Sequence, residues 1–201
     1  DDFITPPFRP SDVVPRLWRL HSRSGKGESV VIRLKEMLGL KQLVGESPSL
    51  IAEINKIPLV ARSDASVLIA GETGTGKEMF ARAIHFLSPR SAKPFSPVNC
   101  GAIPVDLVEN ELFGHERGAF TGANSATVGL LRETDGGSVF LDEVDCLPPP
   151  AQVKLLRFLQ EKEFRPLGAQ KTCRVDVRVI AASNVNLEEA VRKARFRQDL
   201  Y

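Results

Sequence analysis

Short apolar runs at 67–70, 95–99, 138–141 and 175–182 read as strands. Between them, at 79–84 and 151–161, apolar residues recur at the three- and four-residue spacing of a helix. Strands alternating with helices describe an α/β domain built on a parallel sheet. Pro97 demotes the second run to an edge strand, because proline donates nothing to a ladder. Ser47-Pro48 reads as an N-cap with proline in the first turn, opening a helix that runs towards Ala61. Pro58 inside that helix removes one hydrogen bond and is expected to kink it or end it early. Pro148-Pro149-Pro150 stop the chain and start the helix 151–161, tolerable only before or within its first turn.

The first forty residues carry a different pattern. Ser11 is an N-cap for a short helical stretch at 12–20, and the polar residues 21–29, with Gly25 and Gly27, read as a flexible linker. Val30, Val31, Leu34, Met37 and Leu38 then form an amphipathic stripe. It either pairs with another copy or packs on its own domain.

Composition narrows the function classes. The 201 residues suffice for one domain of ordinary size plus an appendage, and a net charge of +2 is too small to mark a nucleic-acid surface. No run of roughly twenty apolar residues is present to span a membrane, and no signal peptide is visible. Cys100, Cys146 and Cys173 match no zinc spacing and are odd in number; each is expected to be a small buried residue in a reducing cytosol. The chain begins at Asp1 without a Met and stops at Tyr201 in mid-pattern, so it reads as a piece of a longer protein.

Chemistry concentrates at the ends of the strands. Gly71-Glu72-Thr73-Gly74-Thr75-Gly76-Lys77-Glu78 follows the first strand and precedes a helix. Glycines there let consecutive N–H groups converge on one anion, the helix N-terminus adds partial positive charge, and Lys77 reaches the phosphates of a nucleotide. Glu78 stands where Ser or Thr generally holds magnesium. The run 138–141 ends in Asp142-Glu143; in a phosphate-loop fold the first carboxylate holds magnesium and the second orients the attacking water. The run 175–182 ends in Ser183-Asn184, placing Asn184 beside those carboxylates if the strands are neighbours, since ligands of such sheets bind at the carboxyl ends of strands. The stretch 111–123, with two Gly and two Ala around Phe120, reads as a mobile loop with an aromatic tip, the kind of side chain that anchors interfaces.

From about Leu43 onward the chain resembles the AAA+ ATPase domain of bacterial sigma-54-dependent transcriptional activators. The resemblance is carried by residues 71–78, Glu111-Leu112-Phe113-Gly114, Gly118-Ala119-Phe120-Thr121-Gly122-Ala123 and Phe140-Leu141-Asp142-Glu143. It implies a three-layer P-loop domain, incomplete here before the last strand and the helical lid, that binds ATP and Mg2+. Family members also carry Glu after the loop Lys, which accounts for Glu78. Glu143 would be the catalytic carboxylate, Asn99 the residue that restrains it, and Asn184 the nucleotide sensor. Gly118 to Ala123, with Phe120 and Thr121 foremost, would touch sigma-54, and 164–171 would form a second loop moving with the first. Arg197 would face the nucleotide of a neighbouring subunit in a hexamer or heptamer. Enhancer DNA would be bound only through a domain outside this chain, and the protein would act in the bacterial cytoplasm.

Residues 1–20 resemble the end of a receiver domain, with Pro6 where receivers carry Lys. The expected organisation is thus a receiver-like remnant at 1–20, a linker at 21–42 and the ATPase domain at 43–201. A generic AAA+ remodelling ATPase and a nucleotide-binding regulator without turnover are the alternatives.

Overall fold

The computed structural model describes residues 47–201. The receiver-like segment and the stripe from Val30 to Leu38 lie outside the described residues. Contacts divide the described residues into two units, 47–64 with 79–92 and 65–78 with 93–201.

In the first unit, α1 (Pro48–Arg62) begins where the Ser47 hydroxyl accepts the Leu50 N–H at 3.3 Å. Ile54, Ile57 and Ala61, spaced by three and four, form its buried stripe. Pro58 does not end the helix early: it runs four residues further, because proline deletes a single donor and the flanking turns keep theirs. Arg90 grips Asp64 through two bonds, Nε to Oδ1 at 2.9 Å and Nη2 to Oδ2 at 2.8 Å.

The second unit holds a parallel sheet of four strands, β1 (Val67–Ala70), β2 (Phe95–Asn99), β5 (Ser138–Asp142) and β8 (Arg178–Ser183), in spatial order β1-β8-β5-β2. Pro97 sits in β2 at the edge, as expected. The last strand is shorter than the apolar run 175–182. The Val175 N–H donates to the Lys162 carbonyl, and the Asp176 N–H to Asp135 Oδ1, so that backbone is engaged elsewhere and the ladder starts at Arg178. Between β1 and β2 lies α2 (Lys77–Phe86), whose first two residues belong to the second unit.

Two short hairpins grow out of the second unit. The first pairs β3 (Gly114–His115) with β4 (Thr127–Val128), after α3 (Val108–Phe113) and before α4 (Leu130–Glu133). The second pairs β6 (Glu163–Phe164) with β7 (Cys173–Arg174), after α5 (Pro149–Glu161). The chain then closes with α6 (Leu187–Arg192). One face of β5 and β8, through Val139, Leu141 and Val179, packs into a core with Leu112, Leu155 and Phe158. Each such side chain stabilises the unit by about 1.5–3 kcal/mol. Phe113 and Phe158 flank Phe164 at ring-centre distances of 5.7 and 6.1 Å, so both hairpins are rooted in one aromatic cluster.

Candidate functional site

All four strands run the same way, so their carboxyl ends share one edge, and the register matches Ala70 with Ser183 and Asn99 with Asp142. Spatial order departs from chain order because β8 lies between β1 and β5; a crevice at such a point is the ligand site of open α/β sheets. A cavity of about 180 Å³ occupies it, lined by Thr73, Gly74, Gly76, Lys77, Glu78, Asp142, Glu143 and Asn184.

The loop from β1 to α2 is folded on itself. The Gly71 N–H donates to the Ser183 carbonyl at 3.2 Å, and the Glu72 carbonyl accepts the Thr75 hydroxyl at 2.8 Å. Gly74 and Gly76 both have φ of 81°, a region costly for side chains with a Cβ. Lys77, nearly buried, donates through Nζ to the Gly71 carbonyl at 2.8 Å and to the Glu72 carbonyl at 2.9 Å. An ammonium held against its own loop beside the cavity is positioned to meet an anion there.

Opposite the loop, β5 delivers the two carboxylates. The Glu143 N–H donates to Asp142 Oδ1 at 3.0 Å, and Glu143 adopts left-handed backbone angles, φ 52° and ψ 48°. Such a conformation in a residue with a side chain costs on the order of 1–3 kcal/mol and persists only where the surroundings hold it. Here the Glu143 carbonyl accepts the Cys146 N–H at 2.9 Å, and the next turn is pinned by Ser183 Oγ, which donates to Asp145 Oδ1 at 2.7 Å. From β8, Asn184 Nδ2 donates to Thr73 Oγ1 at 3.2 Å, joining the strand end to the phosphate loop.

The remaining predicted residues are placed differently. Asn99 closes β2 next to Asp142, and its Oδ1 accepts the N–H groups of Gly101 at 2.8 Å and Ala102 at 3.1 Å, capping a single turn at Cys100–Ala102. It is engaged with that turn rather than hydrogen-bonded to Glu143. Arg197 does not line the crevice. Its exposed guanidinium pairs with Asp199 through Nε at 2.8 Å and Nη2 at 2.6 Å, which lowers the Asp199 carboxyl below and raises the Arg197 guanidinium above their ordinary ranges.

The loop 111–123 is more structured than its composition predicts. Residues 111–113 complete α3, with Leu112 and Phe113 in the core. Gly118 N–H donates to the Ala123 carbonyl at 2.9 Å and Ala123 N–H to the Phe120 carbonyl at 3.0 Å, giving a closed turn in which Ala123 is buried. Phe120 at its tip is 46% exposed, its ring 5.0 Å from that of His115, whose Nδ1 donates to Asn110 Oδ1. The second hairpin touches the first: Glu116 N–H donates to the Leu167 carbonyl and Leu167 N–H to the Gly114 carbonyl, both at 2.9 Å.

The cysteines also correct an expectation. Cys100 is buried, but Cys146 is exposed and Cys173 half-buried. Burial, then the nearby Cys146 and the carboxylates of Asp142, Asp145 and Glu143, pushes the Cys100 thiol up to about 12. Among the described residues no group of three or more His, Cys, Asp or Glu could hold a metal unaided, and no helix is long and apolar enough to cross a membrane.

Sequence reasoning overlooked Gln152. It is buried on the core-facing side of α5, where Nε2 donates to the carbonyls of Leu147 at 2.8 Å and Arg195 at 3.1 Å while Oε1 accepts the Arg197 N–H at 2.9 Å. The signal was available: an amide at an apolar-face position beside Ala151 and Leu155.

This arrangement, a phosphate-binding loop facing strand-end carboxylates, defines a P-loop nucleotide site. The Sigma-54 interaction domain family matches residues 43–201, and the chain belongs to it. It is similar to the Nif-specific regulatory protein of Bradyrhizobium diazoefficiens, 53% identical over 169 residues, covering 84% of this chain and 29% of that one. It is similar to the Sigma54-dependent transcriptional regulator SfnR of Pseudomonas fluorescens, 58% identical over 158 residues, covering 79% and 43%. The chain thus spans less than half the length of these curated relatives. The crystal structure of NtrX from Brucella abortus in complex with ATP matches with a TM-score of 0.72 at 36% identity, covering 99% of this chain and 42% of that one.

Proposed function

We propose that residues 43–201 are the ATP-hydrolysing core of a transcriptional activator that remodels the closed complex of sigma-54 RNA polymerase. The observation that carries the proposal is the convergence of Lys77, Asp142, Glu143 and Asn184 on one cavity from three neighbouring strand ends. ATP as the nucleotide is supported by the ATP complex of NtrX. A sigma-54 partner is supported by the family match and by the printed name of SfnR.

In this reading the loop N–H groups of residues 71–78 and Lys77 hold the phosphates, and Lys77 exchanges its two carbonyl acceptors for phosphate oxygens. Asp142 would hold magnesium together with the phosphates; a single carboxylate suits a cation that arrives with its nucleotide and keeps water ligands, and it supplies charge neutralisation there. Glu143 orients the water that attacks the γ-phosphorus, the bond to the β–γ bridging oxygen breaks, and ADP and phosphate leave. Asn184, bonded to Thr73, senses whether the loop is filled. Arg197 serves a neighbouring subunit in a hexamer or heptamer, consistent with its exposure and its position outside this crevice.

The exposed Phe120 is the proposed sigma-54 contact, with Gly118, Ala119, Thr121, Gly122 and Ala123 shaping its turn; the hydrogen bonds from 114–116 to Leu167 support joint movement of the two hairpins. A receiver-like segment at 1–20, a linker at 21–42, enhancer DNA binding elsewhere in the full-length protein and a cytoplasmic location complete the proposal. The test is open-complex formation by the full-length protein with purified sigma-54 holoenzyme on a supercoiled template. Opening with ATP and none with a non-hydrolysable analogue supports it; opening without hydrolysis contradicts it.

A further inference from the structure

His115 lies in the hairpin that carries Phe120, and its backbone is held from two sides. It pairs with Thr127 across the hairpin and is bridged to Leu167 of the second hairpin. What remains is rotation of the side chain, and Asn110 on α3 removes it. The Asn110 Oδ1 only accepts, so His115 Nδ1 carries the proton and donates to it. The fixed imidazole is 8% exposed, whereas the Phe120 ring beside it is half-exposed. The two ring centres lie 5.0 Å apart with the planes at 53°, a distance and tilt favourable for an aromatic pair. The backbone of the tip is closed by its own hydrogen bonds, Gly118 N–H to the Ala123 carbonyl and Ala123 N–H to the Phe120 carbonyl. The imidazole adds the remaining restraint, on the Phe120 side chain itself.

We propose that His115 is a positioning residue for the sigma-54 contact: its imidazole, fixed by Asn110, is a buried seat that holds the half-exposed Phe120 ring in one outward orientation without itself reaching the partner. The inference rests on the reading of Phe120 as that contact. An aromatic side chain that is free at a loop tip loses rotamer freedom when a partner immobilises it. One that is already seated has lost that freedom beforehand, so the seat raises affinity for the partner. His115 does not line the nucleotide cavity, so its effect falls on holoenzyme binding rather than on the chemistry.

The experiment measures promoter opening by the full-length protein across a range of sigma-54 holoenzyme concentrations, with phosphate release and thermal melting alongside. His115→Ala is expected to raise the holoenzyme concentration for half-maximal opening by about threefold or more, with no matching fall in phosphate release. His115→Phe restores a ring to the seat and is expected to lie within about twofold of wild type. In a Phe120→Leu background, which has no ring to seat, His115→Ala is expected to add less than about 1.5-fold; a general weakening of the hairpin would add equally in both backgrounds. Where His115→Ala fails to fold, Asn110→Leu removes the acceptor, leaves the imidazole in place and is expected to give the same shift. An unchanged half-maximal concentration in the folded variant, a matching fall in phosphate release, no recovery in His115→Phe, or an equal effect in both backgrounds overturns the inference. Promoter opening that survives Phe120→Ala instead overturns the sigma-54 reading beneath it.

Discussion

Ser183 Oγ donates a 2.7 Å hydrogen bond to Asp145 Oδ1, tying the turn that follows Glu143 to the strand that carries Asn184. The Ser183 carbonyl also accepts the Gly71 N–H, so one residue touches the carboxylate turn and the start of the phosphate loop. The bond is charge-assisted and Ser183 is buried, which places its worth at about 1.5–3 kcal/mol. Asp145→Ala is expected to lower unfolding stability by that amount and to reduce turnover, because the left-handed Glu143 loses a support. Asp145→Asn keeps an acceptor and should retain most of both. Urea titration beside a phosphate-release assay checks this; an Ala variant as stable and active as wild type removes Asp145 from the site.

Gln152 makes three hydrogen bonds that organise the turn from Arg195 to Arg197. Gln152→Leu keeps the volume and leaves two carbonyls and one N–H without partners, at about 1–3 kcal/mol for each group that stays dry. The expected outcome is a lower Tm together with, in the proposed oligomer, reduced turnover at unchanged ATP affinity. Wild-type turnover at saturating protein would separate Gln152 from the placement of Arg197.

The cysteines provide a structural check. Cys146 is exposed and Cys100 buried with its thiol pushed up to about 12, so thiolate at Cys100 is scarce at neutral pH. Partial burial and the neighbouring Asp145 push the Cys146 thiol up as well, but it stays accessible, so a maleimide should label Cys146 slowly in the native state and Cys100 only on unfolding. The Cys100 group holds its proton in the native state while an unfolded thiol loses it near pH 9.0, so stability falls as pH rises from there towards 12 and is untouched at pH 7. Labelling of Cys100 at neutral pH as fast as Cys146 would contradict its burial.

Phe120 packs against His115 and does not line the cavity, so Phe120→Ala is expected to leave the ATPase rate intact while abolishing open-complex formation. Truncating an aromatic anchor costs on the order of 2 kcal/mol or more at an interface. Parallel measurement of phosphate release and promoter opening decides it: a joint fall, or no fall, dissociates the loop from sigma-54.

Much of the sheet was legible because each strand announces itself by an apolar run and ends in the residues that carry the chemistry. Gly71 to Glu78, Asp142, Glu143 and Asn184 meet because parallel strands share one edge, a consequence that needs only the strand assignments. The start of β8 was misplaced because Val175 and Val177 read as strand, and nothing in their identity reveals that the backbone of 175–176 is taken by Lys162 and Asp135. The left-handed Glu143, and its Oε2 lying where a side chain at Gly101 would stand, are properties of tertiary placement. A one-dimensional pattern holds no record of which oxygen comes to rest on which α-carbon. Residues 111–113 were read as loop because glycines follow closely, although Leu112 and Phe113 have the burial of core residues. The exposed Cys146 reflects its place in a short turn at Val144–Cys146, where residue type says little about burial.

The central claim is that one crevice both binds ATP and hydrolyses it, with Lys77 on the first task and Glu143 on the second. The direct measurement is paired nucleotide titration and steady-state phosphate release on full-length Glu143→Gln and Lys77→Ala. Glu143→Gln keeps the shape of the site and removes the charge that orients water, so ATP affinity should match wild type while turnover falls by about a hundredfold or more. Lys77→Ala removes a phosphate ligand, so affinity itself should drop. Turnover preserved in Glu143→Gln, or ATP affinity preserved in Lys77→Ala, would contradict the account.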